Sequence, residues 1–363
     1  MTAERPFLFH VDPSWRRDGI HTFLLNPWWG NPYDIKSVIA RDMFDHYAPD
    51  TRQYGITDDI DAADMVLAPY RHNWLMRTDS ALLATCIQTA RTANLPLLVD
   101  GMGDIEHPVE APGVNVFVLR YSGYRFLPDP TRVQAPLTVD DLLERCRDGV
   151  LEIRKKQEGK PKVGFAGWAT LTLSQRLKTL IKELPVRARA VLNPKYRTCT
   201  KGVLWRVRAL SLLGRSPLVS LIAKERKTFS ASPKTVGGDM RELREEMVRV
   251  ILESDYALDV RGDGNNSGRL FEILSLGRIP VILDTERILP FADRVDYSSF
   301  ALIVDFRDLP RLPERIAEFH ESISPERFEE MQRNARSAFV QYFRVDAIMK
   351  TLVPELRVRI ASR

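Results

Sequence analysis

The sequence predicts an α/β protein made of two parallel-sheet domains, and three observations carry that expectation. Short apolar runs alternate with longer stretches of helical periodicity along nearly the whole chain, the pattern of strands covered by helices on both faces. The 363 residues suffice for two domains of ordinary size. The alternation is interrupted near the middle by EIRKKQEGKPK (152–162), which is charged and nearly free of apolar residues, as an exposed crossing between domains would be.

Taken in order, FLFHV (7–11), MVLAPY (65–70), LPLLVD (95–100) and VNVFVLR (114–120) read as buried strands. Between them, 33–47 and 79–93 carry apolar residues at helical spacing, giving a first domain over 1–151. The second domain, 162–345, restarts with the strand KVGFAGW (162–168) and a helix at about 173–184. It continues through DYALDV (255–260), a helix over 268–276, IPVILD (279–284) and FALIVDF (300–306). A long helix is expected from Pro325 to Phe343, with Ser324 as its N-cap and Pro325 at the first helical position. A last helix over 346–363 closes the chain. The stretch 189–232 breaks the pattern: Lys195, Arg197, Lys201, Arg206, Arg208, Arg215 and further cations face one acid, Glu225. Apolar residues from Val203 to Ile222 fall among them at roughly helical spacing. It is expected as a basic helical insertion, whose part 195–227 has one face buried and the other meeting an anionic acceptor or membrane surface.

Composition narrows the function classes. Hydrophobic residues make up 44% and charged residues 28% of the chain, values of a folded globular protein. A net charge of +5, from 53 basic and 48 acidic side chains, suits anionic ligands but is too even for a dedicated nucleic-acid binder. No run of about 18 apolar residues occurs, and MTAERPFLFHVDPS has no signal-like apolar stretch, so a cytoplasmic protein is expected. Cys86, Cys146 and Cys199 are odd in number and far apart, without CxxC or a Cys/His cluster. Neither a disulfide framework nor a zinc site is expected.

The chemistry concentrates in SDYALDVRGDGNNSGRLFEILSLGRIPVILD (254–284), which reads strand, glycine-rich loop, helix, strand. Gly262, Gly264 and Gly268 free the backbone for close approach to a ligand, and the loop feeds a helix N-terminus whose unpaired N–H groups and dipole favour a diphosphate. Arg261 and Arg269 add positive charge and a bidentate fork for phosphate oxygens. Ser267 can cap the helix or donate to a phosphate. Glu272, one turn beyond Arg269, points a carboxylate at the same crevice, where it can accept both ribose hydroxyls. Asn265-Asn266-Ser267 matches a glycosylation sequon, which carries little meaning in a cytoplasmic protein. Gly262-x-Gly264 followed by Asp284 also imitates a dinucleotide fingerprint, although Ser267 stands where the third glycine belongs and the motif comes late in its half.

The run from Ser254 to Phe291, with DYSSFALIVDFRDLPRLPERI and ISPERFEEMQRNARSAFVQYF after it, resembles the donor-binding region of the exostosin family of glycosyltransferases. The resemblance is carried by Arg261-Gly262, Ser267-Gly268-Arg269-Leu270-Phe271-Glu272, Gly277 to Ile282 and Leu289-Pro290-Phe291. It is strong over about 239–343, weaker at KVGFAGW, and faint over the first 130 residues. It implies a GT-B architecture of two facing Rossmann-like domains, an inverting transfer from a nucleotide sugar, usually a uridine diphosphate sugar, and a donor held by the C-terminal domain. The implied partners are the nucleotide-sugar donor and a glycan or lipid-linked glycan acceptor; peripheral contact with the anionic inner membrane surface is expected from the basic stretch instead.

No Asp-x-Asp stands in a convincing loop, since Asp61, Asp64 and Asp263 are scattered acids. Arginines and a helix dipole can stabilise a leaving diphosphate instead, so neither a metal nor a cofactor is expected. An inverting displacement needs a base for the acceptor hydroxyl. The loop after LPLLVD supplies Asp100, Asp104, Glu106 and His107 at a strand's C-terminal end, with Asp104 and then His107 preferred; His72 has the same topological position. Trp28, Trp29 and Tyr33 either stack on sugars or belong to the core. Two other classes remain open: an NAD-dependent oxidoreductase and a non-catalytic nucleotide- or glycan-binding protein.

Overall fold

The computed structural model describes residues 5–33, 35–104, 106–228 and 235–362. The first sheet holds β1 (Phe7–His10), β2 (Tyr54–Thr57), β3 (Met65–Arg71), β4 (Leu97–Asp100), β5 (Val116–Arg120) and β6 (Arg132–Gln134), in the order β2-β1-β3-β4-β5-β6. The second holds β7 (Lys162–Trp168), β8 (Ser220–Arg226), β9 (Tyr256–Asp259), β10 (Ile279–Asp284) and β11 (Leu302–Asp305), in the order β11-β10-β9-β7-β8. Every strand pairing is parallel. Helices cover both faces, which is why β4, β5 and β9 are buried at every position and read as continuous apolar runs. The architecture is GT-B-like: two Rossmann-like domains face each other across a cleft.

Three strands differ from the sequence expectation, and all three are sheet edges. β2 (YGIT) and β6 (RVQ) are short, half-buried and without an apolar run, so no periodicity announces them. β8 corrects the basic insertion expected over about 189–232. That stretch is a helix Leu184–Leu192, a 3-10 segment Pro194–Cys199, a helix Gly202–Arg215 and then β8 paired with β7 from Lys162 to Trp168. Much of its apolar content is core: Ala209, Leu210 and Leu213 pack with β7 and β9. Residues 229–232 lie outside the described residues, as does Asp34 in the helical stretch 33–47, where the observed helix is only Val38–Asp42.

Ser324 caps the helix Pro325–Ala338 as expected, its hydroxyl accepting from Arg327 N at 3.1 Å. The chain then makes a π-helical turn, Phe339–Phe343, and crosses back. The final helix, Ile348–Ala361, places Ile348, Met349, Leu352, Val353 and Leu356 in the core of the first domain, beside Phe7 and Phe117. Each such side chain contributes roughly 1.5–3 kcal/mol, so the chain's end is part of the first domain's packing. The crossing 152–162 is pinned as well. Gln332 accepts from Arg154 N at 2.9 Å and donates to Arg154 O at 2.8 Å.

Polar ties on both sides hold the domains over the cleft. On one side, Asn265 donates from its backbone N to Ser122 Oγ (2.8 Å) and from Nδ2 to Gly123 O (2.8 Å), while Arg125 pairs with Asp284 at 2.8 Å. On the other, Arg244 of the helix Met240–Glu253 reaches Asp42 at 2.9 Å and Asp140 at 3.3 Å. Burial pushes the Asp140 carboxyl up, against Arg145 and Arg244, which hold it down. Among the described residues, no helix is long and apolar enough to cross a membrane.

Candidate active site between the domains

The cleft, about 700 Å³, lies where the C-terminal ends of both sheets converge. This is the place where parallel α/β sheets leave crevices, because successive connections diverge there. The first domain contributes Arg71 at the end of β3, Met102 to Asp104 after β4, and Tyr121 after β5. The second contributes Gly167 and Trp168 at the end of β7, Val260 and Gly262 after β9, and the start of the helix Gly268–Ser275.

Ser267, Gly268, Arg269 and Glu272 line the cleft together, as the sequence suggested. Ser267 is buried with extended backbone but makes no capping hydrogen bond, contrary to one of its two expected roles. The first N–H groups of the helix therefore have no side-chain acceptor, and its positive end stays open toward the cleft. Arg269 is anchored by Nη2 donating to Ala166 O at 2.6 Å, and its Nη1 lies 3.4 Å from Glu272. That Nη1 is buried and has no hydrogen-bond partner. Gly262 lines the cleft with open space, since an added Cβ would meet nothing nearer than Arg206 Nη2 at 3.8 Å. The closest backbone approach falls elsewhere: a Cβ on Gly202 would lie 1.9 Å from Gly262 O, so Gly202 lets its helix abut the end of β9.

Arg261 corrects the sequence reading. It is fully buried and absent from the cleft wall, and its guanidinium is spent on neighbours. Nε donates to Gly262 O (3.1 Å), Nη1 to Tyr124 Oη (2.6 Å) and to Thr198 O, and Nη2 to Asp263 O (2.6 Å). It holds the glycine-rich loop against the first domain and leaves no fork for a phosphate. Asn265 of the sequon is buried in the domain tie. Asp284, the acidic residue of the dinucleotide pattern, is taken by Arg125.

Arg206 is the residue that sequence reasoning missed. It projects from the helix Gly202–Arg215 into the cleft and donates only to backbone carbonyls, Val260 O (3.3 Å) and Trp168 O (3.2 Å). Burial, then repulsion from Arg269, pushes it down to about 10. Two half-buried cations side by side make a site that an anion would relieve. The signal was present: Arg206 shares the buried face of its helix with Val203, Leu210 and Leu213, a position that calls for an apolar residue.

Across the cleft, Asp104 is exposed and accepts from Gly264 N at 3.3 Å, which places a carboxylate beside the glycine-rich loop. His107 is exposed outside the cleft wall, and its carbonyl, not its ring, is engaged, accepting from Arg120 at 2.7 Å. His72 is buried under the first sheet's edge of the cleft, and burial first, then the charges of Arg120 and His107, lowers its pKa. The aromatic cluster divides. Trp28 and Trp29 pack edge-on or tilted against Tyr54 and Tyr70, whereas Tyr33 reaches the cleft, accepting from Arg71 at 3.2 Å.

The cleft of this GT-B-like pair of domains thus combines an open helix N-terminus with paired arginines. Residues 215–319, within the second domain, match the model of the Exostosin GT47 domain. The chain is 33% identical over 101 residues to the Exostosin-1 homolog of Caenorhabditis elegans, covering 28% of this chain and 25% of that protein. It is 37% identical over 70 residues to a probable glycosyltransferase of Arabidopsis thaliana, covering 19% of this chain and 14% of that one. The chain thus spans a quarter or less of the length of these curated relatives. Among solved structures, the Anabaena protein HepE in complex with UDP aligns over 83% of this chain and 79% of its own, at 12% identity and a TM-score of 0.37.

Proposed function

We propose that this chain is an inverting glycosyltransferase that takes a sugar from a nucleotide donor, uridine diphosphate-linked by preference, to a glycan or lipid-linked glycan. One observation carries the reading. Arg206 and Arg269 stand together at an open helix N-terminus, with no carboxylate bonded to Arg206, facing Asp104 across the cleft. The exostosin match over 215–319, which includes Arg269 and the helix N-terminus, supports it. In this reading Arg206, Arg269 and the helix N-terminus hold the diphosphate, with Ser267 donating to it. Glu272 accepts the ribose hydroxyls. The acceptor oxygen bonds to the anomeric carbon as the bond from that carbon to the diphosphate oxygen breaks. The acceptor proton passes to Asp104, and the charge left on the diphosphate is met by the arginines rather than by a metal.

A thermal-shift series tests the donor half. Uridine diphosphate and its sugars are expected to raise the melting temperature, with or without EDTA, and NAD is expected to leave it unchanged. A shift with NAD alone would sink the reading. The catalytic half rests on Asp104. Asp104→Asn keeps the shape and removes the proton acceptor, so turnover is expected to fall by about a hundredfold or more with donor affinity nearly constant. Turnover near that of the parent protein would remove Asp104 from this role.

A further inference from the structure

An amphipathic helix on a folded protein ordinarily lays its apolar stripe on the core. The helix Leu173–Lys182 does the opposite. Leu173, Leu177, Leu180, Ile181 and, just beyond, Leu184 recur at i, i+4, i+7, i+8 and i+11, so they share one face. All five are between 42% and 84% exposed, and no residue of the helix is buried. The contact with the body is made by other positions, the half-buried Thr179 and the buried Glu183, whose carboxylate accepts from Lys201 N at 2.5 Å. The next helix, Leu184–Leu192, ends on Val191 and Leu192, exposed at 83% and 91%.

The charges around this stripe select its partner. Arg176, Lys178, Lys182, Arg187 and Arg189 are all exposed, and the one carboxylate of the segment, Glu183, is turned inward. A second copy of the chain would bring the same cations against themselves. Apolar side chains rimmed by cations match the boundary between acyl chains and anionic headgroups. The place in the fold matches too. The segment leaves the cleft edge at Trp168, four residues before its cap at Thr172, and Lys201 Nζ lies 5.1 Å from the Trp168 ring.

We infer that the helical segment 173–192 docks this protein on an anionic lipid surface, with its apolar stripe in the headgroup boundary and the cleft mouth beside it. The surface is distinct from 195–227, where the sequence pattern pointed, because most apolar residues there, Leu218 excepted, are buried or half-buried in the second domain. That the membrane delivers the acceptor rests on the glycosyltransferase reading; the docking itself does not.

The full chain is to be sedimented with vesicles of phosphatidylcholine alone and with vesicles containing about one third phosphatidylglycerol. Binding to the anionic vesicles is expected at least about tenfold tighter and weaker in high salt. Leu177→Glu/Ile181→Glu and Lys178→Glu/Lys182→Glu are each expected to lower it by about tenfold or more. Circular dichroism and the uridine diphosphate thermal shift should stay as in the parent, since these residues are exposed and outside the cleft. Equal binding to both vesicle types, no binding, or binding unchanged in both variants overturns the inference. So does a dimer in light scattering that the leucine variant dissolves, which would assign the stripe to a second copy. Vesicle binding without a nucleotide shift would instead sink the proposed function and leave the docking surface standing.

Discussion

Arg269→Ala is expected to weaken uridine diphosphate binding by about ten- to a hundredfold, the loss of a charge-assisted contact of roughly 1.5–3 kcal/mol. The side chain is already positioned, with Nη2 fixed by Ala166 O and Nη1 buried without a hydrogen bond, so little ordering cost is left for the ligand to meet. Arg269→Lys should recover only part of the affinity, because an ammonium keeps the charge and loses the planar fork. Arg206→Met, which keeps much of the length and removes the charge, is expected to act in the same direction. Titration calorimetry on the three variants, with circular dichroism to confirm folding, is the measurement. If folded Arg269→Ala binds as tightly as the parent, Arg269 is only the partner of Glu272 and the donor site lies elsewhere.

The second large effect is on stability. Arg287 and Asp259 are both buried, Nη2 to Oδ2 at 2.5 Å, at the end of β9 beneath the domain tie. Asp259 Oδ1 is buried with no hydrogen-bond partner among the described residues. Arg287→Met leaves that carboxylate in the core without its counter-charge, and the folded state is expected to lose about 3–5 kcal/mol in urea unfolding. Asp259→Leu together with Arg287→Met removes both charges and should restore much of the loss, since replacing a buried pair by apolar groups is often close to neutral. A single variant within about 1 kcal/mol of the parent would mean that water or a shifted side chain compensates Asp259.

What the sequence alone determined about this protein rests on local signals. β4, β5, β9 and β10 were legible because a strand buried on both faces must be apolar at nearly every position. Ser324 and Pro325 marked a helix start because capping is a matter of adjacent residues. The order strand, glycine-rich loop, helix brought Ser267, Arg269 and Glu272 to one wall, since the spacing within a single helix decides which residues share a face.

Tertiary structure decided the rest. Edge strands β2, β6 and β8 are held by hydrogen bonds to a neighbour distant in sequence and need no apolar run of their own. Arg261 and Arg269 look alike in the motif, and only folding shows that carbonyls from residues 198 and 263 surround the first while the second stays open to the cleft. Arg206 enters from a helix more than fifty residues upstream of Gly262, brought there because Gly202 lets that helix touch the end of β9. The final helix joins the first domain because its apolar face finds an uncovered core there. A long polar side chain takes its role from the acceptors that folding places within its reach, and those acceptors are set by contacts far apart in the chain.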